Sequence, residues 1–315
     1  MTSEAIVEEA LRLAGDDTAP IERAAVGGGS ISRAERIRTA RGEYLLKTGG
    51  AGLQRFFECE ARGLGLLAAS GAVRVPGVLA YRDADNDERR TLNAESDIRE
   101  HSSLIAHRSS FILLEWLAPP AGADRARAGE ILGTALAALH RSTAPAYGLD
   151  HDNYIGATPQ PNGWAGSWLE FFRERRLRFQ ADLARRQGRW TPQRERLMER
   201  LLGRLDRWID GRAVQPSLLH GDLWGGNFIV GPGGAPALID PAAYYGDREA
   251  DLAFTALFGG FPEAFYQAYA AAWPLPAGWR ERQDLYNLYH LLNHLNLFGE
   301  GYGSQVDQVL RRYAG

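Results

Sequence analysis

The 315-residue sequence has a single cysteine, Cys59, and no long uninterrupted apolar run. One cysteine cannot form an intramolecular disulfide or a cysteine-based metal cluster. A membrane-spanning helix needs about 18 or more apolar residues in succession, and no segment approaches that length. Residues 1–17 are acidic and amphipathic, without the basic start and apolar centre of a secretion signal. We therefore expect a reduced, cytoplasmic protein with no membrane partner.

An excess of positive charge is also missing. The formal net charge is -3 at pH 7, with 36 Lys and Arg against 39 Asp and Glu. Proteins that bind nucleic acid usually present a concentrated basic surface, whereas here the arginines are scattered among acidic residues, as on solvated helix faces. We expect no nucleic-acid partner. The hydrophobic fraction of 45% is ordinary for a globular protein, and the length suits one large domain or two lobes.

The character of the sequence changes near residue 118. Before that point, a short helix is predicted at 3–14, glycine-broken alternating segments predict antiparallel strands, and residues 54–69 carry apolar side chains at helical spacing. After it, helical spacing dominates, most clearly at 126–141, 166–186 and 193–210, with short extended segments such as 228–230. The prediction is an α+β fold of two lobes: an N-terminal lobe at 1–117 with an antiparallel sheet and one main helix, and a larger, mostly helical lobe at 118–315.

A polar segment interrupts the N-terminal lobe between two predicted strands. Residues 82–110 are rich in Asp, Arg, Asn and Ser, which predicts a long hairpin insertion whose role is left open. His101 and His107 lie in this polar context, which does not indicate a metal site.

Three polar residues of the second lobe have a spacing that suits phosphoryl transfer. Asp222 is followed five residues later by Asn227, and Asp240 ends an apolar strand thirteen residues after that. Transfer of a phosphoryl group needs a carboxylate at the acceptor hydroxyl and hard oxygen ligands for Mg²⁺. A D-x-x-x-x-N loop followed by an aspartate supplies these groups in the order that kinases use. We therefore predict Asp222 as the catalytic base, with Asn227 and Asp240 as Mg²⁺ ligands.

A glycine-rich segment in the N-terminal lobe is a candidate phosphate loop. Gly27, Gly28, Gly29 and Ser30 would let backbone N–H groups approach the phosphate oxygens of ATP. The segment lacks the third glycine of G-x-G-x-x-G, because Ser32 stands there, and no Walker A lysine follows. On its own, a plain hairpin turn fits the segment equally well.

Lys47 ends an apolar strand after the glycine-rich segment, where kinases place the lysine that holds the α- and β-phosphates. Its carboxylate partner is expected on the following helix. Glu60 is the choice, because Leu64 and Leu67 continue its helical face toward the core, and Glu58 is the competitor.

The apolar segment at 111–117 predicts the strand that leads to the hinge between the lobes. The backbone groups of Glu115 and Leu117 are predicted to meet the adenine of ATP.

From about residue 20 to the end, the sequence resembles the fructosamine kinase / ketosamine-3-kinase family. The His-Gly-Asp triplet alone would also suit aminoglycoside phosphotransferases and choline kinases. The residues that follow the triplet, Leu223–Gly226, and the Asp240-Pro241 pair restrict the resemblance to the fructosamine kinase family. The segments that carry it are LLHGDLWGGN, IDPAAYYGDREADLA, LFGGFPEAFYQAY and LYNLYHLLNHLNLFGEGY.

The resemblance implies a protein-kinase-like bilobal fold and phosphorylation of the sugar 3-hydroxyl of ketosamines by ATP, with Mg²⁺. Such 3-phosphates decompose and release the amine, so the family is considered a deglycation system. Trp224 and His294 would line the ketosamine pocket. Some members dimerise through a cysteine in the glycine-rich loop, but Ser30 stands there in this sequence, and we expect a monomer or weak homodimer. Ribulosamines or erythrulosamines are the expected acceptors.

Two alternatives remain open. One is a kinase for another small hydroxylated substrate of the aminoglycoside or choline type. A polycationic aminoglycoside would need an acidic pocket rim, whereas the segment at 281–302 is rich in aromatic residues, Asn and His. A nucleotide-binding regulator without catalysis would be expected to lack Lys47, Asp222 or Asp240, and all three are present.

Overall fold

The computed structural model describes residues 3–27, 32–49, 52–83, 110–209 and 214–315. Several predictions from sequence lie outside these ranges. They are the phosphate-loop residues Gly28, Gly29 and Ser30 and all of the 82–110 insertion except its ends, including both of its histidines.

One five-stranded antiparallel sheet forms the core of the N-terminal lobe, with the strand order β1-β2-β3-β5-β4. The strands are β1 (Glu22–Val26), β2 (Ser32–Arg38), β3 (Glu43–Gly49), β4 (Val78–Arg82) and β5 (Phe111–Glu115). Helices α1 (Ser3–Leu13) and α2 (Phe56–Ala69) cover it. Because side chains alternate across a strand, Phe111 and Leu113 pack with α1, while Ile112 and Leu114 pack with α2. Strand β5 is therefore buried on both faces.

The rest of the chain is mostly helical. Its helices are α3 (Arg125–His140), α4 (Trp168–Phe171), α5 (Phe179–Arg186), α6 (Pro192–Leu202), α7 (Asp206–Ile209), α8 (Glu249–Leu257), α9 (Glu263–Ala272), α10 (Trp279–Phe298) and α11 (Gly303–Ala314). The π-helical segment Phe172–Arg178 joins α4 to α5 without a break. Short 3-10 turns lie at Pro232–Gly234 and Glu300–Tyr302.

Short strand pairs complete this lobe and carry the loops of interest. The strands are β6 (Asn153–Ile155), β7 (Thr158–Gln160), β8 (Ser217–Leu219), β9 (Phe228–Val230), β10 (Pro236–Leu238) and β11 (Tyr244–Gly246). The pairs are β6 with β7, β8 with β11, and β9 with β10, all antiparallel. The loop at 220–227 therefore connects one pair to the next, and Asp240 follows β10.

The observed architecture confirms the predicted α+β bilobal fold. A strand-rich lobe with one main helix on the cleft side precedes a helical lobe, and residues 116–124 connect β5 to α3. None of the helices in the described ranges has the length and apolarity needed for a membrane span.

Candidate active site

A single cleft of about 430 Å³ brings together residues that are far apart in the sequence. Its lining includes the predicted site residues Lys47, Glu60, Asp222, Trp224, Asn227, Asp240 and His294. Of the other predicted site residues that the structure describes, Gly27, Glu115 and Leu117 are not part of this lining.

Lys47 lies at the centre of a buried ion network. Its Nζ donates to Glu60 Oε1 at 2.6 Å and also contacts Asp240 Oδ1. Burial alone would lower the pKa of Lys47, but the two carboxylates outweigh it and hold that pKa above its usual range. The lysine therefore stays positively charged. Glu58, the competing partner, instead accepts a hydrogen bond from Arg55 Nε at 2.9 Å.

The loop that carries Asp222 has a tightly constrained backbone. Gly221 has a φ of +81°, and a Cβ at this position would collide with the carbonyl of Ala242, so only glycine fits. Asn227 Nδ2 donates to the backbone oxygen of Asp222 at 2.8 Å and to its Oδ2 at 2.9 Å. These bonds fix the Asp222 carboxylate and leave the amide oxygen of Asn227 for another ligand.

Asp251 on α8 holds the same loop from beneath. Its carboxylate accepts the backbone N–H groups of His220 at 2.7 Å and Gly221 at 2.9 Å, and it lies 3.2 Å from His140 Nε2. His220 Nε2 faces the backbone oxygen of Ile239 at 3.0 Å, so that nitrogen carries the proton. Sequence reasoning missed Asp251, because an aspartate in an apolar helix reveals its role only when the loop packs on it.

The environment of Asp222 favours a basic carboxylate. Burial raises the pKa of Asp222 to about 7. Asn227 acts in the opposite direction, and the charges of Asp240 and Asp251 add to the rise. A general base works best when its pKa lies near the working pH.

Asp240 adopts a strained backbone conformation beside the lysine. Its φ of +55° is in the left-handed region, which is uncommon for residues other than glycine and is often found at functional sites. The side chain is partly exposed to the cleft, and Oδ1 contacts Lys47. Oδ2 therefore remains as an oxygen donor. Together with the amide oxygen of Asn227, it forms a donor set that suits a hard cation such as Mg²⁺, which is usually held by one or two carboxylates and substrate phosphates.

Trp224 forms an exposed wall of the cleft and rests on a glycine. Its side chain is 37% exposed, and a Cβ added at Gly226 would collide with the indole ring. The preceding carbonyl, that of Gly225, accepts a hydrogen bond of 2.7 Å from Arg125, which also donates to the Phe228 oxygen at 3.0 Å. The Trp224 indole therefore packs against the backbone of Gly226, and the hydrogen bonds from Arg125 on α3 hold that backbone in place.

His294 lies on α10 among aromatic rings. Its Nδ1 lies 2.8 Å from the backbone oxygen of His290. A carbonyl can only accept, so Nδ1 carries the proton and Nε2 is left as an acceptor. Burial lowers the pKa of His294, despite the opposing effect of the bond to His290. The imidazole is therefore neutral near pH 7.

A buried polar network forms the floor beneath these groups. Asn153 lines the cleft and accepts from Gln160 Nε2 at 2.7 Å. Asn162 also donates to Asn153, and it accepts from Arg176, whose guanidinium lies 4.0 Å from the centre of the Tyr244 ring. Sequence reasoning did not identify this network. Its members come from β6, β7, the segment just after β7, the π-helical segment and β11, and no local motif marks them.

The hinge restricts which backbone groups are available to contact adenine. The N–H of Glu115 already donates to the oxygen of Gly77 at 2.8 Å, and the Glu115 side chain contacts Arg74. An adenine contact at this strand end would therefore use the Glu115 carbonyl or the backbone of Leu117.

The sequence matches the family model described as fructosamine kinase over residues 2–314. It is 40% identical over 292 residues to a "probable ketoamine kinase" of Synechocystis sp., covering 92% of this chain and 90% of that protein. It is also 34% identical over 313 residues to the chloroplastic protein-ribulosamine 3-kinase of Arabidopsis thaliana, covering 99% of this chain and 88% of that one.

Comparison with solved structures points to the same family. A crystal structure of a protein assigned as a fructosamine-3-kinase from Thermobifida fusca superimposes with a TM-score of 0.80 at 30% identity, covering 98% of both chains. The aminoglycoside phosphotransferase APH(4)-Ia matches with a TM-score of 0.63 over the full length of both chains, but at 16% identity this likeness concerns the fold alone. The resemblance found in the sequence is thereby confirmed: the chain belongs to the fructosamine kinase family.

Proposed function

We propose that this protein is an ATP-dependent ketosamine 3-kinase that phosphorylates ribulosamine or fructosamine adducts. The observation that carries the proposal is the placement of Asp222 in one cleft with the Lys47–Glu60 pair and Asp240. Family membership is consistent with it, since one relative bears the name protein-ribulosamine 3-kinase.

In the proposed reaction, the 3-hydroxyl of the sugar attacks the γ-phosphorus of ATP. A bond forms between O3 and phosphorus, the bond between phosphorus and the β,γ-bridging oxygen breaks, and ADP leaves. Asp222 accepts the hydroxyl proton, and Asn227 keeps its carboxylate aimed at the acceptor. Lys47, oriented by Glu60, holds the α- and β-phosphates.

Asp240 and Asn227 would hold Mg²⁺ through Oδ2 and the amide oxygen. When bound, the ion neutralises negative charge on the phosphates. Asp240 contacts Lys47, so the carboxylate that would hold the metal lies beside the ammonium that would hold the phosphates. Of the predicted phosphate-loop glycines, Gly27 has open space at its Cα, which permits the close backbone approach that phosphate binding needs.

The neutral part of the cleft favours a ketosamine over a polycationic aminoglycoside. Among the described residues, the charged groups that line the cleft are Lys47, Glu60, Asp222 and Asp240. In this proposal Lys47, Asp222 and Asp240 act on the phosphates, the reacting hydroxyl and the metal, and Glu60 is paired with Lys47. The remaining lining consists of aromatic, amide and apolar side chains, so no further carboxylate is left for the extra ammonium groups of an aminoglycoside.

We further propose that residues 1–117 act as the nucleotide lobe and 118–315 as the catalytic and acceptor lobe. The division falls in the connection between β5 and α3, where the chain passes from sheet to helix. We expect a cytoplasmic monomer or weak homodimer that takes free or protein-bound ketosamines.

A panel of acceptors tests the proposal. Purified protein with ATP and Mg²⁺ is offered ribuloselysine, fructoselysine and an aminoglycoside, and phosphorus NMR locates any new phosphate. We expect a phosphate on O3 of at least one ketosamine. Phosphorylation of the aminoglycoside alone, or a phosphate on another hydroxyl of the sugar, would contradict the assignment.

A further inference from the structure

Four aromatic side chains form one side of the cleft, and none of them has a part in phosphate chemistry. This aromatic wall consists of Phe258, His294, Phe298 and Tyr302. The ring centre of His294 lies 4.9 Å from that of Phe258, 5.4 Å from Phe298 and 5.0 Å from Tyr302. The interplanar angles are 52° to 54°, so the rings are tilted around the imidazole rather than stacked on it.

Three separate elements build this wall, which makes it a feature of the fold rather than of one helix. His294 and Phe298 are one turn apart on α10, so their side chains share a face. Gly299, with a φ of +90°, then turns the chain, and the following 3-10 turn brings Tyr302 back against both rings. Phe258 follows the end of α8 and closes the group from the other side.

The wall leaves apolar surface open to the cleft. Phe298 is 54% exposed and Trp224 is 37% exposed, and both line the same cavity. Large aromatic side chains that converge with exposed faces on one cavity are typical of a ligand site. Trp224 and the aromatic wall thus both expose ring surface to the cavity in which an acceptor would bind.

The electrostatics of the wall suit a cation of modest size. Aromatic faces are electronegative and attract an ammonium group within about 6 Å of the ring centre. His294 is neutral and has its Nδ1–H bonded to His290, so it adds an acceptor, Nε2, and no repelling charge. Glu300, in the same 3-10 turn as Tyr302, accepts from Arg194 Nη1 at 3.1 Å, so its negative charge is already paired.

We propose that the aromatic wall binds the protonated amine of the ketosamine through cation–π contacts, so that Phe258, Phe298 and Tyr302 determine the preference for amine-bearing sugars. The inference rests on the proposed function, because a ketosamine places a secondary amine two carbons from the hydroxyl that is phosphorylated. A neutral sugar of the same shape would keep its packing contacts with Trp224 and the aromatic wall but lose the cation–π attraction of the wall.

An isosteric pair of acceptors tests this directly. N-propyl ribulosamine carries the ammonium, and 1-O-propyl ribulose replaces its nitrogen by an ether oxygen. For the wild type we expect kcat/KM to favour the amine by about tenfold, the size of a desolvated cation–π contact. Phe298→Leu and Tyr302→Leu should reduce this preference to about twofold, with the KM for ATP unchanged.

Conservative variants distinguish a cation–π contribution of the rings from a contribution of apolar packing alone. Phe298→Tyr and Tyr302→Phe keep an aromatic face and should retain most of the amine preference. Trp164→Leu removes a half-exposed ring outside the cleft and should not alter it. If Phe298→Leu lowered kcat/KM equally for the amine and the ether, the wall would act only as an apolar surface and the proposal would be overturned. An unchanged amine preference in both leucine variants would also overturn it.

Equilibrium binding separates this proposal from the proposed function. Calorimetry with a non-hydrolysable ATP analogue gives the affinity for the amine and for the ether without turnover. Turnover of both acceptors with equal affinities would leave the kinase assignment intact and refute the wall. Binding that favours the amine and depends on Phe298, without phosphorylation of either compound, would refute the kinase assignment and keep the wall.

Discussion

Lys47 Nζ lies 2.6 Å from Glu60 Oε1, and this buried ion pair joins the central strand β3 to helix α2 at the edge of the cleft. The pair is the contact through which the position of α2 affects the lysine. Removing one partner of a buried pair leaves the other charge without compensation, which is costly.

Glu60→Gln is therefore expected to lower kcat/KM for ATP by about tenfold or more. The lysine would keep only its contact with Asp240 and lose its alignment toward the phosphates. Glu58→Gln is the matched control two residues away, because Glu58 pairs with Arg55 at the helix start. Steady-state kinetics at varied ATP should leave the control near wild type. A similar loss in both variants would remove the special role of Glu60.

The chemical reactivity of Lys47 offers a second prediction. It is the single lysine of the sequence, and only 7% of its surface is exposed. A buried, protonated amine is a poor nucleophile toward sugar aldehydes. After incubation of the folded protein with ribose, peptide mass spectrometry should find Lys47 unmodified, with adducts confined to the terminal amine. In denaturant the same lysine should react. Rapid modification of Lys47 in the folded protein would contradict its burial between two carboxylates.

The packing of the Trp224 indole against Gly226 can be tested by substituting each of two adjacent glycines. Gly226→Ala would push a methyl group into the indole, whereas a Cβ at Gly225 would meet only Arg125 Nη2 at 3.8 Å, an ordinary contact. We expect Gly226→Ala to raise the KM for the ketosamine by about tenfold without changing the KM for ATP, since misplaced contacts weaken acceptor positioning. Gly225→Ala should have less than about a third of that effect. Equal effects at both positions would mean that the turn itself, rather than the indole, responds.

Asp251 is expected to matter for both stability and catalysis. Asp251→Asn replaces one of the two acceptor oxygens by an NH2 donor, which would face the N–H of either His220 or Gly221. A buried group left unsatisfied costs about 1–3 kcal/mol, so the free energy of unfolding in urea should fall by roughly that amount. The turnover rate, measured where the variant remains folded, should drop by more than tenfold because Asp222 follows this loop. Full activity in a destabilised variant would limit Asp251 to a structural role.

A pH-dependent contribution to stability is predicted at Asp16. Burial would raise the pKa of Asp16, but hydrogen bonds from Thr18, Thr39 and Tyr44 outweigh it and hold that pKa well below its usual range. A depressed folded-state pKa stabilises the protein above the unfolded value of about 3.9, and the contribution is lost as the pH falls. Asp16→Asn should therefore lower the urea midpoint at pH 7, and its difference from wild type should shrink below about pH 4. A constant difference from pH 7 to pH 3 would contradict this.

Much of the fold follows from local patterns in the sequence. Helical spacing predicted α2 and α3 to within two residues at each end, and the segment at 228–230 formed the predicted strand. These elements have strong periodicity or clear glycine boundaries, which are local signals. The predicted helix at 193–210 ends earlier, at Leu202, because Gly203 interrupts it before a second short helix begins.

The site divides in a similar way. The spacing of Asp222, Asn227 and Asp240 could be read directly, because short connections between strands carry these residues. The choice of Glu60 over Glu58 followed from helical geometry, and the ion pair with Lys47 is in agreement with it. The support of the loop by Asp251 and the floor around Arg176 could not be predicted. Asp251 lies 30 positions from Gly221, Arg176 lies 14 positions from Asn162, and no local motif marks either contact.

The most direct test of the account is phosphoryl transfer by Asp222→Ala, measured with nucleotide binding on the same preparation. ADP formation with ribuloselysine as acceptor is followed together with the dissociation constant for ATP and Mg²⁺. Phosphorylation is expected to fall by at least about a hundredfold while the affinity for ATP stays within a few-fold of wild type. Turnover within a few-fold of wild type would contradict the assignment of Asp222 as the base.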